Sequence, residues 1–300
     1  MSINYINRTV VRLVCLLMLP FHQLRAQTEL PLPPAIPIFV NQGANTIVNT
    51  KAIERFMHKL HQIEKGDTTI LRILHIGDSH IYADLFTGMT RQLFQKRFGI
   101  GGAKQLMRYK LADFQDSTKT LFIDPYPSDS INRRGILYDV AGANGAEYLT
   151  YNQNGLFFKE TPLLKPDLVI ISLGTNEAFG YLNRSVFENN IDAFISQIRT
   201  YNPSVEILIT TPGDAMKRKK VHNQNIDVVR KILMDYATVN NTALWDFYKV
   251  MGGAGSMKRW FTKGLAQKDK VHLSKEGYLI QGFLFFNALM NELDKPADKR

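Results

Sequence analysis

The chain contains a serine, a histidine and an aspartate in settings that suit nucleophilic catalysis. Ser79 stands in GDSH, residues 77–80, and Asp269 and His272 stand three residues apart in DKVH. At that spacing on a turn, a carboxylate can accept a hydrogen bond from one imidazole nitrogen while the other nitrogen faces a hydroxyl group. These three side chains form a candidate Ser-His-Asp triad in which the acid precedes the histidine.

Two further blocks of small and polar residues follow apolar runs, as GDSH does. GANGA occupies residues 142–146 and LGTNE occupies residues 173–177. The carboxyl ends of parallel strands meet at one edge of an open sheet, where the sites of such folds collect. The sequence therefore predicts that these blocks converge on one site.

Alternating strand-like and helical segments must position the blocks. Five apolar runs are typical of buried strands: RILHIG, GILYDVAG, PDLVIISLG, VEILITTP and ALWDFY. Helical periodicity recurs at about 86–98, 184–200, 223–238 and 275–293, and AIERFMHKLHQI places its apolar residues on one helical face. This alternation predicts an α/β fold, a three-layer α/β/α sandwich around a mainly parallel five-stranded sheet.

In order along the chain, GDSH, GANGA, GTNE and DKVH resemble the signature blocks of the SGNH (GDSL-type) hydrolase superfamily. The longer stretches LHIGDSH, LGTNEA and DKVHLSKEGY resemble the branch that contains the bacterial peptidoglycan O-acetylesterases. The resemblance covers roughly residues 70–290 and implies a flavodoxin-like fold. It implies that Ser79 is the nucleophile, His272 the general base and Asp269 its acid partner.

The same resemblance implies an oxyanion hole with three donors. These are the backbone N–H of Ser79, the N–H of Gly145 and the side-chain amide of Asn176. Gly142 is an alternative to Gly145, because GANGA contains two glycines. Each donor would stabilise the negative charge that develops on an ester oxygen, by about 3 kcal/mol.

Each of these residues also has a purely structural interpretation. Ser79 could cap a following helix, and His272 could be a surface histidine. Asn176 and Gly145 could be ordinary turn residues.

The neighbours of the signature residues carry weaker expectations. His75 lies within a strand and is expected to be a hydrogen-bonded core histidine. His80 should point away from the nucleophile. Asp78 should tie its loop together through backbone hydrogen bonds, and Glu177 is expected to have no chemical role.

Residues 1–26 have the layout of a secretory signal peptide. They contain three arginines, no acid and the apolar block LVCLLMLPF, followed by HQLRAQ. The block is too short to form a stable membrane span, so we expect cleavage after Ala26. The only cysteine, Cys15, lies in this leader, so the exported chain would have no disulfide. These features favour a bacterial periplasmic or cell-surface protein.

The rest of the chain divides into a linker and one domain. Residues 27–50 are rich in proline near their start and are predicted to form an N-terminal linker. Residues 51–295 are predicted to form the hydrolase domain, with an insertion at about 101–134. Peptidoglycan O-acetylesterases of the resembling branch can carry a β-rich module between the serine and glycine blocks, and this insertion is too short for one.

The formal net charge is +10, and loss of the three leader arginines leaves +7. Such a charge favours acidic surroundings such as a cell wall, anionic glycans or a membrane face. Export and the lack of a nucleic-acid-binding motif argue against nucleic acid. The run KRKK at 217–220 could be a solvated loop or an anion site.

The proposed chemistry requires no cofactor. His58, His61 and His222 lack ligand spacing with nearby acids or cysteines, so no metal site is predicted.

The sequence therefore predicts an exported serine esterase that removes O-acetyl groups from a polysaccharide, with bacterial cell-wall peptidoglycan as the favoured substrate. Two alternatives stay open: an O-acetyltransferase that uses the same residues, and a catalytically inactive wall-binding module. The acyl group, the sugar and the oligomeric state are not indicated by the sequence.

Overall fold

The computed structural model describes residues 35–102, 106–111 and 134–295. They belong to one compact unit, Leu32–Arg300. The predicted signal peptide, the first part of the predicted linker and most of the predicted insertion lie outside the described residues.

Seven strands of the described residues form one sheet with the order β1-β9-β6-β5-β2-β4-β3. All neighbouring pairs are parallel except β1 with β9. The strands of this sheet are β1 (Ile47–Val48), β2 (Ile70–Gly77), β3 (Leu106–Tyr109), β4 (Gly135–Ala143), β5 (Leu168–Ser172), β6 (Glu206–Thr210) and β9 (Ala243–Trp245). Two short strands, β7 (Met216–Lys217) and β8 (Val221–His222), pair separately as an antiparallel hairpin.

Helices cover both faces of the sheet. They are α1 (Glu54–Glu64), α2 (Ser79–Tyr82), α3 (Phe86–Phe98), α4 (Tyr148–Asn152), α5 (Gly155–Glu160), α6 (Thr175–Phe179), α7 (Arg184–Tyr201), α8 (Gln224–Val239), α9 (Phe247–Met251), α10 (Ser256–Thr262) and α11 (Lys275–Leu293). The predicted three-layer α/β/α fold is therefore confirmed.

The prediction of five strands was wrong, because the sheet has seven. The five predicted runs form β2, β4, β5, β6 and β9, and the additional edge strands are β1 and β3. Strand β1 is only two residues long and β3 only four, too short to show an alternating pattern. Strand β1 falls in the stretch predicted as a linker, and β3 falls in the predicted insertion.

Successive residues of the central strands supply two separate cores. Leu71 and Ile73 of β2 face the core that contains residues of α1, α3 and α11. Leu74 and Ile76 face the core built with α4, α5, α7 and α8. A strand buried on both faces reads as a continuous apolar run, as β2 does, and holds its carboxyl end rigidly.

Candidate active site

A sharp turn at the carboxyl end of β2 presents Ser79. Gly77 ends the strand, and a Cβ at this position would lie 2.3 Å from Ile81 Cγ1 and 2.6 Å from the Ser172 carbonyl oxygen. Only glycine therefore lets α2 fold back so closely on the strand that precedes it.

Asp78, rather than Ser79, caps α2. The buried carboxylate of Asp78 accepts a hydrogen bond from the backbone N–H of His80 at 2.9 Å. Ser79 is the first residue of the helix, so its own N–H has no acceptor within the helix. Because Asp78 supplies the cap, the hydroxyl of Ser79 is free for another partner.

The second part of the site is the turn between α10 and α11. Asp269 Oδ1 accepts the backbone N–H groups of Val271 at 2.9 Å and His272 at 3.0 Å. Ser274 then caps α11 as predicted, because its hydroxyl accepts the N–H of Gly277 at 3.2 Å. The turn is thus fixed by the same carboxylate that contacts the imidazole.

The structure brings Ser79, His272 and Asp269 into one hydrogen-bonded series. Ser79 Oγ lies 2.9 Å from His272 Nε2, and His272 Nδ1 lies 2.7 Å from Asp269 Oδ2. An ionised carboxylate only accepts, so Nδ1 carries the proton and Nε2 is the acceptor that faces Ser79. This tautomer is the one that a general base requires.

Asp269 keeps its charge in this position. Burial opposes ionisation, but the hydrogen bonds from the Val271 backbone, the His272 side chain and the His272 backbone outweigh it. The pKa of Asp269 is therefore below its ordinary value.

The two glycines of GANGA occupy different environments. Gly145 is exposed and has a φ of +77°, a conformation that favours glycine. Gly142 is buried in β4, where a Cβ would lie 2.5 Å from the backbone nitrogen of Tyr82. Gly142 thus allows α2 to pack on the sheet, whereas Gly145 is accessible to a substrate.

Asn176, on α6, lies against the GANGA loop. Its Nδ2 donates to the Ala146 carbonyl at 2.9 Å and makes a longer contact of 3.5 Å with Asp78 Oδ2. The first contact fixes the amide beside Gly145, the neighbour of Ala146. The second N–H, held only by the weak contact, is the one that a substrate oxygen can take up.

Glu177 also binds this loop, a role that its sequence position did not indicate. Its Oε1 accepts the backbone N–H of Tyr148 at 2.8 Å, and its Oε2 has no partner in the described part of the chain. Burial raises the pKa of Glu177 to about 8. The carboxyl group therefore holds a proton under neutral conditions.

His80 packs against His272, a contact that the sequence pattern does not indicate. The two imidazole rings of His80 and His272 stack with centroids 4.8 Å apart and planes 29° apart. His80 Nδ1 lies 2.7 Å from the hydroxyl of Tyr278. Burial lowers the pKa of His80, so the ring that faces His272 is uncharged. The block DKVHLSKEGY contains Tyr278, but nothing in its spacing indicates this contact.

His75 is a core histidine, as predicted. It is completely buried, with Nδ1 2.8 Å from the Tyr138 hydroxyl and Nε2 2.7 Å from Ser172 Oγ. Burial lowers the pKa of His75 to about 3, so the side chain is neutral. It serves the packing of β2 rather than the site.

Within the described ranges, no group of three or more potential ligand side chains is arranged to hold a metal ion. A search of the same residues found no helix with both the length and the apolar character needed to cross a membrane.

Residues 115–280, more than half of the chain, match the GDSL-like Lipase/Acylhydrolase family. The chain belongs to this family. The matched segment begins after Ser79 and includes Gly145, Asn176 and His272. The predicted superfamily is thereby confirmed, and membership supports a hydrolase that acts on esters. No curated protein matches the chain significantly.

Solved structures with the same fold include a peptidoglycan O-acetylesterase and a lipase/acylhydrolase from Enterococcus faecalis. The first is 20% identical with a TM-score of 0.68, and the match covers 85% of this chain and 98% of that one. The second is 19% identical with a TM-score of 0.50, and the match covers 76% of this chain and all of that one. Both similarities show the fold that the sequence predicted.

Proposed function

We propose that this protein is an exported serine esterase that removes O-acetyl groups from a polysaccharide, with peptidoglycan as the favoured polymer. The observation that carries the proposal is the series from Ser79 through His272 to Asp269, with distances of 2.9 and 2.7 Å. Family membership supports ester hydrolysis. The similarity to a peptidoglycan O-acetylesterase supports the choice of substrate, and the leader-like residues 1–26 support export.

Acylation begins with attack of Ser79 Oγ on the acetyl carbonyl carbon. The hydroxyl proton passes to His272 Nε2, and Asp269 stabilises the imidazolium that results. The bond between the carbonyl carbon and the sugar oxygen then breaks. The departing oxygen takes the proton from Nε2, which leaves Ser79 acetylated.

Deacylation repeats these steps with water as the nucleophile. His272 Nε2 takes one proton from water as the water oxygen attacks the acetyl carbon, and returns that proton to Ser79 Oγ as acetic acid leaves and ionises to acetate. The sugar hydroxyl, acetate and the free enzyme are the products.

The oxyanion donors in this proposal are the N–H groups of Ser79 and Gly145 and the side chain of Asn176. Neither N–H has an acceptor in the described part of the chain, so both are available. Asn176→Ala is expected to lower kcat by about 10²-fold, because one donor to the developing charge is lost.

Replacement of the nucleophile tests the mechanism. Ser79→Ala should lower the turnover of p-nitrophenyl acetate by about 10³-fold or more and abolish labelling by a fluorophosphonate probe. Ser196→Ala, an exposed serine on α7, is the matched control and should retain both. Turnover that survives in Ser79→Ala would refute the assignment, and absence of labelling in the unaltered protein would favour an inactive module.

The substrate is tested separately. We expect acetate release from O-acetylated peptidoglycan and, in the same assay with added chitooligosaccharides, little acetyl transfer. Preferential transfer would identify an acetyltransferase. Release from an aryl ester alone, with none from peptidoglycan or acetylated xylan, would refute the polysaccharide substrate.

A further inference from the structure

A basic hairpin projects beside the turn that carries His272. Strands β7 and β8 form it, and its tip contains the run KRKK, residues 217–220. Arg218 and Lys219 both have positive φ values, 51° and 61°, which makes the turn tight. Arg218, Lys219 and Lys220 are exposed, so the tip presents its charges to solvent.

Direct hydrogen bonds join the hairpin to the catalytic turn. The backbone N–H of Met216 donates to the Lys270 carbonyl at 3.0 Å, and Lys270 Nζ donates to the Lys219 carbonyl at 2.9 Å. Lys270 precedes His272 by two residues, so their Cα atoms are at most about 7 Å apart. The charges of the hairpin therefore begin immediately beside the candidate site.

The hairpin is anchored at its base by His222. Its Nδ1 lies 2.6 Å from Asp214 Oδ1, and its Nε2 is hydrogen-bonded to Asp227 Oδ2. Burial lowers the pKa of His222, but the bonds to Asp227 and Asp214 outweigh this effect and the net shift is upward. Asp214 and Asp227 are thus engaged with His222 and form no ion pair with the cations at the tip.

A group of cations around the hairpin has no ion pair with a described carboxylate. This basic surface consists of Lys217, Arg218, Lys219, Lys220, Lys268 and Lys270. Like charges held this close create a positive potential that concentrates anions at the adjoining site. Five of the six are lysines. A lysine ammonium acts as a solvated point charge, whereas the planar guanidinium of arginine is the group suited to bidentate recognition of phosphate.

We propose that the basic surface binds the carboxylates of an acidic polysaccharide while one of its esters enters the site at Ser79. This inference rests on the proposed esterase function and specifies its substrate as a carboxylate-bearing glycan. The position of the basic surface favours such a polymer, because its cations adjoin the turn that carries His272, where the proposed ester cleavage takes place.

A matched pair of triple variants tests the proposal kinetically. The first replaces Arg218, Lys219 and Lys220 by Gln; the second replaces the exposed Lys51, Lys65 and Lys165, which lie on the amino side of the sheet. At 20 mM NaCl the first should raise the KM for partially O-acetylated polygalacturonate about fivefold or more. Its KM for acetylated neutral xylooligosaccharides and its rate with p-nitrophenyl acetate should not change.

The kinetic effect should shrink at 500 mM NaCl, where exposed charges are screened. The control triple variant should behave as the unaltered protein with every substrate. Equal KM values for the two triple variants on the acidic polymer would overturn the proposal.

Binding of unesterified polygalacturonate, measured by calorimetry, separates this inference from the proposed function, because it requires no ester cleavage. The hairpin variant should bind at least fivefold more weakly than the control variant. Unchanged binding with intact esterase activity refutes only the basic surface, whereas absent activity on every ester refutes the proposed function. Tighter binding of duplex DNA than of polygalacturonate at equal salt would mark a nucleic-acid site and overturn the proposal.

Discussion

His272 is held through its edge by Asp269 and through its face by His80. The first contact could be predicted, because three residues on a turn bring a carboxylate to an imidazole. The second contact could not be predicted, because it depends on how α2 packs against α11. There the hydroxyl of Tyr278 orients His80. The sequence therefore identified the groups proposed to carry out the chemistry but not the side chain that positions one of them.

We predict that His80 is a positioning residue. His80→Phe keeps an aromatic face beside His272 but loses the hydrogen bond to Tyr278, and should lower kcat about threefold. His80→Ala removes the face as well and should lower kcat about tenfold. Steady-state kinetics with p-nitrophenyl acetate should show both changes in kcat, with KM little altered.

Tyr278→Phe provides the control for His80, because it removes only the hydroxyl that holds the ring. Its kcat should fall as in His80→Phe. If His80→Ala retains full kcat, the stacked ring has no positioning role.

Glu177 gives a prediction about stability and pH. Its pKa of about 8 in the folded protein lies above the ordinary 4.5, so the folded state favours the protonated carboxyl. Stability is therefore lost as the pH rises from about 4.5 to about 8, by up to about 5 kcal/mol. Glu177→Gln stays neutral and keeps an acceptor for the Tyr148 N–H.

Melting temperatures across this range measure the effect. The Tm of Glu177→Gln should approach that of the unaltered protein at pH 5 and exceed it at pH 8.5. Parallel Tm curves for the two proteins would contradict the raised pKa.

At the scale of elements, periodicity predicted the long segments and missed the short ones. The pattern at 86–98 corresponds to α3 and the pattern at 275–293 to α11. Strands β1 and β3 could not be recognised, because two and four residues carry no usable period and their pairing is decided by distant partners. The carboxyl-edge position of the three polar blocks, by contrast, followed from the parallel strands that precede them.

The anchor of the basic hairpin provides a prediction at this scale. His222→Gln removes the imidazolium between Asp214 and Asp227. The pKa of His222 is raised in the folded protein, so its stabilising contribution is complete below about pH 6.5 and is lost as the pH rises through the folded value. The loss of Tm caused by His222→Gln should therefore be larger at pH 6 than at pH 9.

His58→Gln serves as the control, because His58 is an exposed histidine on α1. Its Tm should follow that of the unaltered protein at both pH values. A loss for His222→Gln that does not depend on pH would show that the imidazolium charge contributes nothing.

At the scale of the whole molecule, Asn45 joins three distant segments. Its Nδ2 donates to the Leu284 carbonyl at 2.8 Å, and its Oδ1 accepts the indole N–H of Trp245 at 2.9 Å. Residue 45 lay in the predicted linker, since no local pattern indicates a contact with residues about 200 positions away. Asn45 thus ties a residue of the predicted linker to β9 and α11.

Asn45→Ala should lower the free energy of unfolding by about 2–3 kcal/mol. The substitution leaves the Trp245 N–H without a partner in the core and removes the side-chain hydrogen bond to the Leu284 carbonyl, which keeps only its bond within α11. Asn41→Ala is the control, because Asn41 is exposed and its side chain caps no helix. Urea unfolding should separate the two variants, and equal losses would contradict the role of Asn45.

The pairing of Ser79 with His272 spans 193 residues of the chain. Contacts so far apart in sequence form only after long loops have closed, and loop closure slows folding. We therefore expect the candidate triad to come into register late in folding, after most of the helices have formed. Hydrolytic activity in this fold reports the completed assembly of the chain, whereas helix content reports only its earlier stages.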